Sequence, residues 1–295
     1  GGSSSGSAAA VATGTATLSL GTQTGGSVLR PASFCGIVGM KPTFGSVSRE
    51  GAKFYSVSLD TIGWYGRSVA DLSLIAESAR AVRSLTNLTS KKEIKKFALY
   101  ELPKSNLASN CANKALEDAT NLLIKSGHKV KKISLPKAFE NLHQTQLIIM
   151  KGEGRTAFLA EYLANFHLLA EDFKNRVEDS DNISFDSLRS AYDHAAQCRK
   201  EFDSIASEFD GVISIGAPGI APKSLKTTGD AIFQRMWSVL HVPAIALPGF
   251  FGEKGLPIGV QIVGPRFMDS KLLEAANQAS IAFNHETVLP VLNTK

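Results

Sequence analysis

Residues 1–45 read GGSSSGSAAAVATGTATLSLGTQTGGSVLRPASFCGIVGMKPTFG. The first 35 of these residues are mostly Gly, Ser, Ala and Thr, and Arg30 is their one charged side chain. Because glycine lets the main chain approach closely whatever it contacts, this composition favours backbone packed around a site. A flexible Gly/Ser linker is the alternative, and the apolar residues at 8–12 and 18–20 argue against it.

Two short motifs in this stretch contain serines that are suited to nucleophilic chemistry. Residues 25–27 read Gly-Gly-Ser, and two glycines before a serine let successive main-chain N–H groups point into one concavity, as a developing oxyanion requires. A plain turn is the alternative. Residues 2–6 match the G-x-S-x-G nucleophile elbow, centred on Ser4. An elbow requires a preceding strand and a later acid and histidine, for which His241 and His285 are the candidates.

The periodicity of the remaining chain predicts an α/β fold. A helix is expected over 68–85, opened by a capping box of Ser68 and Asp71. Residues 97–102, 112–125 and 130–135 predict a strand, a helix and a strand, which is a βαβ unit and favours parallel pairing. Further expectations are helices over most of 138–208, strands at 212–215, 244–247 and 258–263, a helical face from Phe233 to Leu240, and a closing helix at 272–282. We therefore expect one domain over 1–295, with a mixed, largely parallel sheet flanked by helices.

Composition excludes several functional classes. The chain has 295 residues, of which 43% are hydrophobic and 20% charged, and a net charge of +5. Lysines cluster at 91–96 and 125–132 without interleaved aromatics, which indicates a solvated face and not a nucleic-acid surface. The three cysteines are widely spaced, and no apolar run reaches the ~18 residues of a membrane span. We expect no metal, no cofactor, no nucleic acid and no membrane.

Taken together, the two serine motifs resemble the signature stretch of the amidase signature family. Ser27 follows Ser3 by 24 positions, which matches the serine pair of that family. The likeness continues in SLDTIG at 58–63 and RSVAD at 67–71, and it returns in GDAIFQRMWSVLHVPAIALPGF at 229–250 and GLPIGVQIVGPRF at 255–267. It is faint between these blocks.

The resemblance implies an amidase signature fold and hydrolysis of an amide C–N bond through an acyl-enzyme. Ser27 matches the nucleophile. Ser3 matches the bridging serine, which follows a cis peptide bond and passes a proton between the nucleophile and a neutral lysine. The N–H groups of Thr24, Gly25, Gly26 and Ser27 match the oxyanion hole.

The lysine of the family lies upstream of the bridging serine, in a part that this sequence does not include. We therefore expect the chain to be the C-terminal portion of an amidase domain, inactive as an amidase by itself. Lys41, within Met40-Lys41-Pro42-Thr43, is the alternative base, because a weak serine nucleophile requires one nearby. We interpret Lys41 as a structural residue or a neighbouring charge.

Arg30 and Trp237 are the candidate substrate-binding residues. Arg30 follows Ser27 by three residues, a pattern similar to malonamidase-like small-amide hydrolases, in which the arginine can meet a substrate carboxylate. A structural arginine is the alternative. Trp237 and Phe233 either line an acyl pocket or belong to the core.

We thus expect a small-amide hydrolase, with a carboxylate-bearing amide as the more specific hypothesis, in the cytoplasm and with a homodimer left open. The alternatives are an A-type subunit of a tRNA-dependent amidotransferase and a non-catalytic amidase remnant. The residues around Trp237 differ from the pattern typical of the A-type subunit.

Overall fold

In the computed structural model, which describes residues 1–82, 88–101 and 107–284, eight strands form one sheet flanked by helices. The strands are β1 (Ser19–Gln23), β2 (Val38–Lys41), β3 (Thr61–Gly66), β4 (Lys96–Tyr100), β5 (Lys129–Ile133), β6 (Gly211–Ile215), β7 (Ala244–Phe251) and β8 (Pro257–Val263). The helices are α1 (Ser5–Ala12), α2 (Leu29–Cys35), α3 (Val69–Ser78), α4 (Asn110–Lys125), α5 (Leu142–Ala157), α6 (Leu159–Asn165), α7 (Glu171–Val177), α8 (Phe185–Ser207), α9 (Ile232–Val239) and α10 (Asp269–Phe283). The strand order is β1-β3-β2-β7-β8-β6-β4-β5.

Pairing in this sheet is mixed but mostly antiparallel. β4 pairs in parallel with β5 and β6, whereas the other five pairings among the described strands are antiparallel. The α/β fold and the β4-α4-β5 unit are as predicted, but a largely parallel sheet was wrong. A parallel pair requires a crossover connection, and β7 and β8 are joined by the short turn 252–256, which permits only antiparallel pairing.

The local sequence predicted the start of helix α3 correctly and its end incorrectly. The Ser68 hydroxyl accepts the Asp71 N–H, and the Asp71 carboxylate accepts the Ser68 N–H, which completes the predicted capping box. The helix ends at Ser78, and Arg80 adopts the left-handed region with φ 55°, which stops helical hydrogen bonding. The predicted end at 85 was too late, and residues 83–85 lie outside the described part.

Packing around α2 places the segment that contains Ser27 against the middle of the sheet. α2 packs on β7 and β8, α1 packs on α2 and β1, and α9 packs on α5. Large side chains such as Trp64, Phe97 and Phe202 are fully buried, each stabilising the fold by about 1.5–3 kcal/mol. That residues 1–295 form one domain stays a prediction.

Candidate active site

Ser27 lies in a turn, residues 24–28, between β1 and α2, and we call it the Ser27 turn. Ser27 is half-buried, whereas Gln23 just before the turn is fully buried. The Gln23 Oε1 atom accepts the N–H groups of Val28 and Leu29, both at 3.0 Å, and its Nε2 donates to Ser238 Oγ at 3.0 Å. The first N–H groups of a helix have no partner within the helix, so Gln23 satisfies donors that start α2 and fixes the turn.

Three main-chain N–H groups of this turn, unlike that of Val28, have no acceptor in the described part of the chain, and their directions are fixed. Within residues 1–82, 88–101 and 107–284, the N–H groups of Gly25, Gly26 and Ser27 donate to no protein acceptor. Each of these N–H groups shares a peptide unit with the carbonyl of the residue before it, and all three carbonyls are bonded. Thr24 O accepts from Gln146 Nε2 at 3.1 Å, Gly25 O accepts from Ser238 Oγ at 2.7 Å, and Gly26 O accepts from the Arg30 N–H at 3.0 Å. Since C=O and N–H of a trans peptide point oppositely, these bonds hold the N–H groups away from the supporting side chains.

Glycine is required at position 26 for packing. A Cβ there would lie 2.9 Å from the Ala231 Cβ and 3.0 Å from Gln234 Oε1, so no larger residue fits against α9. The turn therefore offers the close, preorganised donors that an oxyanion hole needs, and that role stays a prediction for Gly25 and Gly26.

Thr24 is anchored through its side chain. Its Oγ1 donates to Asp60 Oδ1 at 2.5 Å, and Asp60 Oδ2 accepts the N–H groups of Tyr55 (2.6 Å) and Ser56 (3.1 Å). The SLDTIG block at 58–63 thus supports the Ser27 turn from the side of β3. Tyr65, on β3 itself, donates its hydroxyl to Ser27 O at 3.1 Å.

Ser3 lies in residues 1–5, which we call the Ser3 turn. The Gly2–Ser3 peptide bond is cis, the geometry that the resemblance implies for the bridging serine, and Ser3 is exposed. The Ser4 N–H donates to Ser27 O at 3.4 Å, so the two turns touch. Hydrogen bonding between the Ser3 and Ser27 hydroxyls stays a prediction.

Arg30 and Trp237, the two residues predicted to contact the substrate, are both buried. The Arg30 side chain is buried, and its two terminal nitrogens donate to Gly2 O, Gly229 O and Thr228 Oγ1. Trp237 is fully buried, with ring centroids 5.5 Å from Phe202 and 6.1 Å from Tyr100. These contacts favour the structural alternatives: Trp237 belongs to the core, and the Arg30 guanidinium is held by the protein.

Lys41 is fully buried, and its Nζ donates to Pro42 O at 2.7 Å. Burial, opposed by the Asp269 charge, lowers the pKa of Lys41 to about 7. The hydrogen bond to Pro42 and the position on β2 agree with the structural interpretation.

The nucleophile-elbow hypothesis for Ser4 finds no support. The Ser4 hydroxyl is bonded to the main chain of Thr22. The His241 Nε2 atom lies 2.7 Å from Ser58 O and 3.0 Å from Arg199 Nη2, and burial, with the Arg199 charge, lowers the pKa of His241 to about 3. His285 lies outside the described residues.

Sequence reasoning missed the supporting residues Gln23, Gln146, Ser238 and Asp60. A signal existed for Gln23, a polar residue within a β-like stretch four positions before Ser27. Gln146 and Ser238 lie 122 and 213 positions from the carbonyls they bind, and nothing local marks them.

The family model described as Amidase matches residues 1–273. The chain belongs to the amidase family. The expected family and the mixed α/β fold are thereby confirmed. In the described part of this amidase chain, no helix is both long and apolar enough to cross a membrane. The same part contains no cluster of three or more His, Cys, Asp or Glu side chains that could hold a metal ion.

Individual relatives include amidotransferase subunits and amidases. The A subunit of glutamyl-tRNA(Gln) amidotransferase from Clostridium botulinum (strain Eklund 17B / Type B) is 33% identical, over 94% of this chain and 66% of that protein. A crystal structure of an amidase superposes with a TM-score of 0.84 at 28% identity, covering 95% of this chain and 66% of the other. The crystal structure of the corresponding amidotransferase subunit from Thermotoga maritima gives 0.74 at 29% identity, covering 93% and 64%. The chain spans about two thirds of the length of these relatives.

Proposed function

We propose that the full-length protein containing this chain hydrolyses the C–N bond of a small amide, with Ser27 as the nucleophile. The observation that carries the proposal is the Ser27 turn, where the main-chain N–H groups of Gly25, Gly26 and Ser27 meet no acceptor among the described residues and are fixed in direction. Such donors stabilise a tetrahedral intermediate, and each contributes about 2.7–4 kcal/mol in comparable sites.

The chemistry has two halves. The Ser27 Oγ attacks the amide carbonyl, and the oxygen that becomes negative accepts N–H groups of the Ser27 turn, with Thr24 as the outermost donor. The C–N bond then breaks, the amine leaves with a proton, and the acyl group stays on Ser27 until water releases the acid. Ser3 takes the Ser27 proton towards a base and returns it to the leaving nitrogen. In the family that base is the lysine upstream of the bridging serine.

The carboxylate hypothesis needs a cation that faces the substrate, and Arg30 is already bonded to the protein. Arg235 on α9 is the other arginine beside the turn: its side chain is 22% exposed, it pairs with Asp230 at 3.1 Å, and its Cγ would lie 3.8 Å from a Cβ at Gly25. If the enzyme prefers carboxylate-bearing amides, we assign the contact to Arg235.

A second candidate is an A-type subunit of a tRNA-dependent amidotransferase. The 33% identity to the C. botulinum amidotransferase chain favours it. The residues around Trp237, which differ from the pattern typical of the A-type subunit, favour the small-amide hydrolase.

Release of ammonia or amine from a panel of small amides by the full-length protein tests the proposal, with Ser27→Ala as the control. We expect turnover without ATP or a second protein, and loss of it in Ser27→Ala. Turnover that appears only with partner proteins and charged tRNA would favour the amidotransferase. No turnover under either condition would indicate a non-catalytic remnant.

A further inference from the structure

One residue connects the two serine turns. The Arg30 main chain lies at the start of α2, where its N–H donates to Gly26 O at 3.0 Å. Its side chain reaches back to the other turn, where Nη2 donates to Gly2 O at 2.6 Å. Gly2 O is the carbonyl of the cis peptide that precedes Ser3. Arg30 is thus bonded to the peptide unit before each serine.

The same guanidinium also holds a third segment. Nη1 donates to Gly229 O at 2.8 Å and Nη2 to Thr228 Oγ1 at 3.1 Å. This segment is packed directly on the Ser3 turn, because a Cβ at Gly2 would lie 2.6 Å from Thr228 Cγ2. Gly229 has φ +81°, a conformation suited to glycine, and a Cβ there would lie 3.0 Å from the Phe34 ring.

We infer that Arg30 is a positioning residue, which fixes the Gly2–Ser3 peptide relative to Ser27, and that it does not bind substrate. The inference rests on the proposed function, since it requires Ser3 and Ser27 to act together. A guanidinium that turned towards a substrate would give up its bonds to Gly2, Thr228 and Gly229. The planar guanidinium of Arg30 is needed here because its two terminal nitrogens donate to acceptors on two different segments of the chain.

The charge of Arg30 persists in this buried setting. The residue is 6% exposed, and burial, followed by the nearby Arg235 charge, lowers the pKa of its guanidinium to about 10. The group therefore remains protonated near pH 7, and its bonds to the carbonyls are charge-assisted. Lysine keeps the charge but has no fork, so Arg30→Lys tests the geometry separately from the charge.

The experiment compares Arg30→Lys with the wild-type full-length protein on matched neutral and carboxylate-bearing amides. Because a misplacement of about 1 Å can cost roughly 100-fold in rate, we expect kcat to fall by about tenfold or more on both substrate classes. We expect KM to stay within about threefold, since no substrate contact is lost. A loss confined to carboxylate-bearing amides and expressed in KM, or no loss at all, would overturn the inference.

Arg199→Lys is the matched control. Arg199 is also a buried arginine whose pKa is lowered to about 10, chiefly by burial, and its Nε donates to Val239 O at 2.9 Å. Its hydrogen bonds go to neither serine turn. We expect a similar fall in melting temperature with kcat nearly unchanged. An equal fall of kcat in Arg199→Lys would mean that general destabilisation explains the Arg30 result and would overturn the positioning role.

Thr228→Val keeps the inference testable if Arg30→Lys does not fold. This variant removes one acceptor of Nη2 and leaves the arginine in place, so we expect a several-fold fall of kcat on both substrate classes. An unchanged kcat in Thr228→Val, with Arg30→Lys unfolded, would count against positioning. The proposed function is tested separately by Ser27→Ala. Turnover that persists in this variant would contradict the proposed function and not the positioning role alone.

Discussion

The turn that carries Ser27 and the turn that carries Ser3 touch each other, yet they draw their support from different parts of the chain. The Ser27 turn is held by buried side chains on three elements: Gln23 on β1, Gln146 on α5 and Ser238 on α9. The Ser3 turn is exposed at Ser3 and is held mainly through Arg30 and the segment at Thr228.

Because of this difference, substitutions in the two turns should affect stability and catalysis to different degrees. A buried hydrogen-bonding group that loses its partner costs about 1–3 kcal/mol, so changes beneath the Ser27 turn lower the stability of the fold together with activity. Ser3 itself is exposed, so changes of its side chain remove few buried contacts. They are therefore expected to lower activity with little effect on stability.

The largest expected effect is that of Ser27→Ala. Removing the nucleophile of a serine hydrolase costs about 10⁶-fold in kcat, and the half-buried Ser27 contributes little to folding, so the melting temperature should hardly change. Steady-state kinetics and thermal denaturation of the full-length protein measure both. Activity that survives in Ser27→Ala would show that Ser27 is not the nucleophile, and the contrast between the Ser27 turn and the Ser3 turn would lose its basis.

Ser3→Ala is expected to act next most strongly. Proton transfer by a positioned group contributes about 10²- to 10⁴-fold, so kcat should fall less than in Ser27→Ala while KM and the melting temperature stay close to wild type. Kinetics across pH would show the loss. A wild-type kcat would remove Ser3 from the mechanism and leave its turn without a catalytic role.

Gln23→Leu tests the claim that the Ser27 turn is coupled to stability. Two buried N–H groups, those of Val28 and Leu29, would lose their acceptor, so we expect the free energy of unfolding to fall by about 2–5 kcal/mol and kcat to fall with it. Chemical denaturation and kinetics give the two values.

Gln278→Leu is the control for that substitution. Gln278 is as well buried and bonds Glu93 N–H and Lys91 O, far from both serine turns in the chain. It should lower stability to a similar degree and leave kcat of the folded enzyme unchanged. Parallel losses of kcat in both variants would show that the Ser27 turn is not special.

Lys41 lies in neither turn and is expected to affect stability alone. Burial lowers its pKa to about 7 in the folded protein from 10.5, so the unfolded chain binds more protons between these values. The free energy of unfolding should then rise with pH over this interval, by up to about 1.4 kcal/mol per pH unit. Lys41→Met should flatten that rise and retain activity. Denaturation curves from pH 6 to 10 measure the slope, and abolished turnover in Lys41→Met would instead make Lys41 the base.

The sequence predicted local features better than distant contacts. The capping box of Ser68 and Asp71 is a local pattern and is confirmed, and the motifs at 1–45 sufficed to indicate the family, whereas the roles of Ser3, Ser27 and the glycines stay predictions. The antiparallel pairing of β2 with β7 depends on contacts about 200 positions apart, and one βαβ unit at β4-α4-β5 suggested more parallel pairing than there is. Arg30 shows the same limit, since its acceptors at 228–229 are 198 and 199 positions away.

The identity of the nucleophile is tested most directly by covalent labelling. The full-length protein is treated with a serine-reactive fluorophosphonate, and the modified residue is located by peptide mass spectrometry in the wild type and in Ser27→Ala. Since the donors of the Ser27 turn would stabilise the adduct oxygen as they do a tetrahedral intermediate, we predict a single adduct on Ser27 and none in Ser27→Ala. An adduct on Ser4, or labelling that persists in Ser27→Ala, would contradict the account.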